Sequence, residues 1–315
     1  MKSIFCILTV KNMKEYMQTI IMSLTVSARV FILKIRASLP ASPVKKISPA
    51  ILAAALAAFF PAWTQAAERN VFGEKSADGA ALIGIFYDFK QTQKGEPAMV
   101  NGDDYWRVLD EFFANGWDET VLNRYFRVVK PLYSTQIFIP YSSAGAGPKA
   151  FDAGPRVQPT RWVIHYKGQV APPSAGRWRF WGCADDILAV AVNGKMVLLS
   201  PFHQKPREAF RRVKWPENPA TYAPGLKAPG GRLYSGDWLD LKADEIYDLD
   251  ILIGERPGGE FFAFLMIEQE GATYEQTPDG PVLPIFQVAP YDTPVGRDTH
   301  EPRFTKNGSV WRCVQ

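Results

Sequence analysis

The chain has 315 residues, 47% of them hydrophobic and 13% aromatic, enough to bury one large core or two small ones. Its 25 prolines and 24 glycines fall mostly between short apolar runs, which argues against a helical bundle and for an all-β architecture. The formal charge of +4 hints at a nucleic-acid partner only until it is located. Residues 1–66 carry eight of the 36 Lys and Arg but one of the 32 Asp and Glu, so the remainder is mildly acidic and ill suited to nucleic acid.

Residues 1–66 read as a leader with a secretory signal. Lys45-Lys46 form the basic segment, Ile47 to Phe60 the apolar one, and Thr64-Gln65-Ala66 the small residues for cleavage after Ala66. The 44 residues ahead of it are long for such a segment, so the expected initiator is Met22 or Val44. The competing reading, a membrane anchor over Ile20 to Ile35, is interrupted by Arg29. Export to the periplasm, cell surface or medium is the expectation, with no stable membrane span in the mature protein. After cleavage Cys183 and Cys313 remain. They either pair as a disulfide or stay as one buried thiol and one on a frayed tail.

Residues 67–79 are a polar linker, and Ala80 to Phe89 reads as the first strand. Asp103 or Asp104 would cap a helix with Trp106, Leu109, Phe112 and Phe113 on one face, ended by Asn115-Gly116. A second short helix over Glu119 to Phe126 completes a small helical insertion at 103–127. Tyr133 to Tyr141 and Arg161 to Tyr166 read as strands, separated by a small-residue loop.

Gly176 to Ser200 is the most informative stretch. Large apolar and charged residues alternate from Arg177 to Trp181, the period-2 mark of a half-buried strand. Asp185 and Asp186 follow, then the apolar run Ile187 to Val192, the turn Asn193-Gly194 and a returning strand from Lys195. Asn-Gly suits a type I′ hairpin turn because both residues tolerate positive φ. Residues 201–236 form a long basic excursion (Lys205, Arg207, Arg211, Arg212, Lys214), too long for a plain connector. Trp238 to Leu241, Tyr247 to Ile253 and Phe261 to Glu268 are further strands, and 271–315 reads as an extended C-terminal arm with a loose tail. Seven or more short strands joined by Gly/Pro/Asn loops indicate an antiparallel β-sandwich, jelly-roll-like, over residues 80–270.

The order GIFYDF (84–89), then GRWRFWGCADDILAVAVNGKMVLL, then WLDLKADEIYDLDILIGERPGGEFFAFLMIE (238–268) resembles the protective-antigen "PA fourteen" β-sandwich family. That family includes flocculins, adhesins and glycosidase-associated carbohydrate-binding domains. Ala184 and Ile187 depart from its usual residues around the acidic pair. The resemblance implies that Asp185 and Asp186, joined by a cis peptide, hold calcium that grips sugar hydroxyls. It also implies that the ERPGGE loop supplies the other ligands, with Glu255 at the family's side-chain position and carbonyls of Pro257 to Gly259 beside it. Calcium takes several hard oxygen ligands at about 2.3–2.6 Å, which paired carboxylates suit. Glu255 in place of the usual Asn adds negative charge, favouring metal and narrowing room for sugar.

Trp178, Trp181 and Tyr222 are candidate sugar platforms, but Trp178 and Trp181 face opposite sides of a strand by parity, so at least one belongs to the core. No catalytic constellation stands out. Adjacent aspartates in one loop make a poor acid/base pair for glycoside hydrolysis. His165, His203 and His300 lack metal spacing or a nucleophile partner, and His165 sits within a strand as a structural residue. The expectation is an exported, non-catalytic carbohydrate-binding or adhesion module. Its site would be Asp185, Asp186, Glu255 and Trp181, its metal calcium held by the three carboxylates, and its partner a glycan or cell-surface polysaccharide. The alternative is a metal-free structural component that contacts an envelope protein, with the acidic side chains turned into backbone donors.

Overall fold

The computed structural model describes residues 70–77, 79–98, 101–201, 210–213, 221–222, 233–278, 280–290, 301–305 and 307–314. Residues 1–69, which include the segment expected to be a leader, and most of the excursion at 201–236 lie outside them.

Two antiparallel sheets pack face to face. The first has the order β2 (Phe126–Arg127), β1 (Leu82–Asp88), β5 (Trp162–Ala171), β12 (Tyr247–Glu255), β7 (Ile187–Val192), β8 (Lys195–Pro201). On it β3 (Leu132–Ser134) also pairs with β1, and β16 (Arg312–Val314) with β5. The second runs β4 (Phe138–Ser143), β13 (Glu260–Gln269), β6 (Gly176–Ala184), β10 (Leu233–Ser235), β9 (Thr221–Tyr222), with β11 (Leu239–Leu241) also on β6. A two-strand ladder, β14 (Gln276–Thr277) and β15 (Gly280–Pro281), stands apart. The expected β-sandwich is observed. Alternation sends Trp162, Ile164 and Tyr166 from β5, Trp178 and Phe180 from β6, and Ile251 and Ile253 from β12 into the shared core.

The helical insertion covers the outer face of the first sheet. Helix α1 (Gly102–Ala114) is capped by Asn101, whose side chain accepts from the backbone of Asp103 and Asp104 while Asp104 reaches back. The cap thus lies two residues before the expected Asp103, because the Asp104 carboxylate serves as the reciprocal partner of a capping box. Helix α2 spans only Glu119–Leu122, shorter than expected: Phe126 pairs with Asp88 in the sheet instead. Tyr105, Trp106, Leu109, Phe112, Phe113 and Trp117 pack on Ile85, Tyr87, Val163, Ala189 and Leu252. Phe210 of the excursion is buried against them, and Asp110 accepts the backbone N–H of Arg212 at 3.1 Å.

Among the described residues, the end of the C-terminal arm is tied down rather than loose. Trp311 is 1% exposed and meets Trp178, Phe180 and Phe286 in the core, and Arg312, Cys313 and Val314 close the chain as a strand on β5. The polar, proline-rich sequence hides this, because one buried tryptophan and three ladder residues are enough to tie the arm down. The strand expected over Tyr133 to Tyr141 is two strands on different sheets, and the loop after it holds a short helix, α3 (Ala146–Ala150). Among the described residues no helix is long and apolar enough to cross a membrane.

Candidate metal and ligand site

Strands β6 and β7 are consecutive in sequence but lie in different sheets, so Asp185 and Asp186 form the crossover between them. The Asp185 N–H donates to Phe262 of the second sheet (3.1 Å), and the Asp186 N–H to Gly254 of the first (2.6 Å). Residues 256–259 cross in the same place, from β12 to β13. The two crossovers are neighbours because β6 pairs with β13 (Ala184 opposite Ala263) and β7 with β12 (Ile187 opposite Gly254). Sheet pairing thereby brings together residues 70 positions apart. The Asp185-Asp186 peptide is cis, as the resemblance implied.

Carboxylate oxygens of Asp185, Asp186 and Glu255 lie within 4.8 Å of one another. Asp186 and Glu255 are 2% and 1% exposed, while Asp185 is half-buried and forms the open side. Asp186 Oδ2 accepts the Arg256 backbone N–H at 2.8 Å, and Glu255 Oε1 accepts that of Gly258 at 2.5 Å. Glu255 Oε2 is buried without a hydrogen-bond partner. The loop folds back over its own carboxylate through Gly258 at φ +88°, where an added Cβ would meet Thr160 Cγ2 at 2.7 Å. Of the carbonyls expected to help, that of Gly259 accepts the Ala144 N–H at 3.0 Å.

Electrostatically the group is short of positive charge. Burial, with the charge of Asp186 added, pushes the Asp185 carboxyl up to about 7. Burial also leads for Glu255, followed by Asp186. The Gly258 N–H and the Arg256 charge oppose them, and the carboxyl is pushed up to about 9. A cation among these oxygens would reverse those costs. Two oxygens that both touch one calcium ion stand no more than about 5 Å apart, so the group has the span for that ion.

No family profile matches the chain, and no curated protein matches it in sequence. Among solved structures, the chain is similar to the PA14 sugar-binding domain from an RTX adhesin: 16% identity, 62% of this chain, 94% of that one, TM-score 0.36. It is similar to the epithelial adhesin 6 A domain from Candida glabrata in complex with Galβ1-3GlcNAc, at 16% identity, 69% and 95% coverage and TM-score 0.36. The PA14 domain of the MpAFP antifreeze protein follows at 13% identity, 63% and 87% coverage and TM-score 0.35.

On the sandwich the helical insertion reaches the strand end and loop that carry Glu255, contacts that sequence reasoning missed. Tyr105 is fully buried with its hydroxyl 3.4 Å from the Trp162 carbonyl, and a Cβ on Gly254 would stand 2.2 Å from that hydroxyl. The Arg256 guanidinium lies over the Trp106 ring, 5.7 Å from its centroid. Tyr105 and Trp106 follow the helical apolar spacing, so nothing in the sequence separates them from ordinary core residues.

Trp181 is not brought to the acidic group. It is 5% exposed, donates its indole N–H to Glu268 (2.6 Å), and packs with Cys183, Phe264 and Leu283 on the outer face of the second sheet. It stands four residues before Asp185 on an extended strand, about 13 Å away at ~3.3 Å per residue. Trp178 takes the opposite face, as parity required, and is also buried. The side chain of Tyr222, and His203 and His300, lie outside the described residues.

Cys183 and Cys313 are both free and buried in separate clusters: no disulfide is present, one thiol is buried as the alternative had it, and the second is buried on β16 rather than frayed. His165 is structural, as expected, but ionic in its surroundings. Its Nε2 is 2.8 Å from Asp250 Oδ1 and its Nδ1 3.5 Å from Glu119 Oε1, with the rings of Phe112 and Trp117 against it.

Proposed function

We propose that this protein is a non-catalytic carbohydrate-binding module of the adhesion type, in which Asp185, Asp186 and Glu255 hold a calcium ion. The observation that supports the metal is the buried, unpartnered Oε2 of Glu255 inside a three-carboxylate group assembled from two crossovers. A buried carboxylate with one oxygen unmatched is costly to keep unless a cation completes it. Bound calcium supplies a Lewis-acidic centre that accepts vicinal sugar hydroxyls in exchange for water. Asp185, on the open side, lies where a ligand approaches. The backbone N–H groups of Arg256 and Gly258 fix one oxygen each of Asp186 and Glu255, and Oε2 of Glu255 is left to the metal. The motif order noted in the sequence suggests sugar as the ligand class.

Those two backbone bonds also favour the second reading, in which the acidic residues are architectural. A thermal melt of the protein with calcium and with chelator separates the two, alongside Asp185→Asn/Asp186→Asn. On the first reading, calcium at a hundredfold excess over its Kd raises Tm by about 5–10 °C, and the double variant loses the shift. Capture on a glycan array should then need calcium. No shift in either protein would leave the architectural role in place.

A further inference from the structure

We propose that the ligand of the acidic site carries an anionic substituent, a carboxylate or a sulfate on the sugar, and that Arg256 receives it. The proposal rests on the calcium-lectin reading above for the identity of the site, but not on the metal for its test.

Arg256 directly follows Glu255 and is pinned at both backbone groups. Its N–H donates to Asp186 at 2.8 Å, and its carbonyl accepts from Arg161 at 3.1 Å. The side chain is half-buried and laid on Trp106, so its orientation is set by the insertion helix rather than by an acid. Among the described residues no carboxylate comes within ion-pair distance of this guanidinium. Its Nε is buried and closed to a ligand, so the donors on offer are the terminal N–H groups, which take no carboxylate although three lie on neighbouring turns of chain.

A guanidinium normally offers a fork of donors to a carboxylate or sulfate and is seldom left without one when half-buried. Stacking on an indole leaves the far end of the guanidinium plane, where the terminal N–H groups point, free for such a partner.

The charge count leads to the same ligand class. Three carboxylates with one divalent cation leave a net −1, which repels an anion. Arg256 brings that sum to zero, so an acidic sugar is admitted and finds a directional partner. A neutral sugar would use the metal and leave the Arg256 donors to water.

The test uses the full protein with saturating calcium and titrates three probes by calorimetry: methyl galactoside, methyl galacturonide and galactose 6-sulfate. The expected result is at least tenfold tighter binding of one or both acidic probes than of methyl galactoside, and which of them binds separates carboxylate from sulfate. Arg256→Gln should erase the preference while keeping the calcium-dependent rise in Tm. Arg256→Lys, which retains charge, should keep part of it and guards against a folding defect in the first variant. Equal binding of acidic and neutral probes overturns the proposal. So does a preference that survives Arg256→Gln, or binding of no probe by a protein that shows the calcium shift. If the calcium shift is absent but the Arg256-dependent preference persists in chelator, the metal reading fails and this one stands.

Discussion

The backbone N–H of Arg256 donates to Asp186 Oδ2 at 2.8 Å, tying one sheet-to-sheet crossover to the other. One crossover carries Asp185 and Asp186, the other directly follows Glu255, and their side chains share one small volume. Either loop alone would present carboxylates to water; joined, they shield one another from it, which makes their charged forms costly. The Glu255 carboxyl is consequently pushed up to about 9, by burial first and Asp186 second. The following expectations come from this arrangement and from the elements packed around it.

On the calcium reading, Glu255→Gln removes one ligand charge while preserving shape. Calcium affinity should fall by about tenfold or more, since ligand charge tunes calcium sites. The calcium-free protein should be as stable as the parent or more so, because an uncharged amide spares the cost of protonating a carboxyl pushed up to about 9 on folding. Calorimetric titration with calcium and a chelator-treated melt read the two effects separately.

Gly254→Ala introduces a Cβ 2.2 Å from Tyr105 Oη and 2.8 Å from Val163 Cγ1. Overpacking of this kind costs about 1–3 kcal/mol. Removing the offending oxygen with Tyr105→Phe should recover part of that loss, so the double variant is non-additive. Urea unfolding of the parent, both single variants and the double variant measures the coupling between the insertion and the end of β12.

His165 links the insertion to the sheet through charge. Burial opposes its cationic form, but the contacts with Asp250 and Glu119 outweigh burial and raise its pKa above 6.5. Contact with His165, against burial and with help from Lys167, holds Glu119 down to about 2. A raised histidine pKa contributes stability that is complete below 6.5 and fades as pH climbs through the folded value. A depressed Glu119 contributes above about 4.5 and is lost as pH falls through about 2. The difference in unfolding free energy between the parent and His165→Asn should therefore be largest near pH 5–6 and shrink on the alkaline side. A difference that stays flat from pH 5 to pH 9 would contradict the ionic account.

Trp311→Ala tests whether the C-terminal arm belongs to the core. The indole packs against Trp178, Phe180 and Phe286, and its loss should cost about 3–5 kcal/mol. A surface tail would show no change in chemical denaturation.

Much of the sandwich is legible in the chain. The alternation in Arg177 to Trp181 marks β6, and the Asn193-Gly194 turn, with φ of +49° and +73°, sits where the dipeptide said it would. The acidic pair and Glu255 could be named from residue types in a motif order. Local patterns of this kind are visible because backbone geometry and side-chain burial repeat every two residues along a strand.

Other features depend on contacts far apart in sequence and leave no local mark. Trp181 and Trp178 look alike as candidate platforms, and only the packing of both sheet faces shows that each is buried. Trp311 reads as part of a polar tail until its pocket in the core is formed. Tyr105 and Trp106 carry an ordinary amphipathic pattern, yet helix docking sets one against Gly254 and the other beneath Arg256. The residues themselves determined which chemistry is available, a pair of aspartates and a glutamate with a taste for hard cations. Tertiary structure decided that they meet, because strand pairing between β6 and β13 and between β7 and β12 places two sheet crossovers side by side.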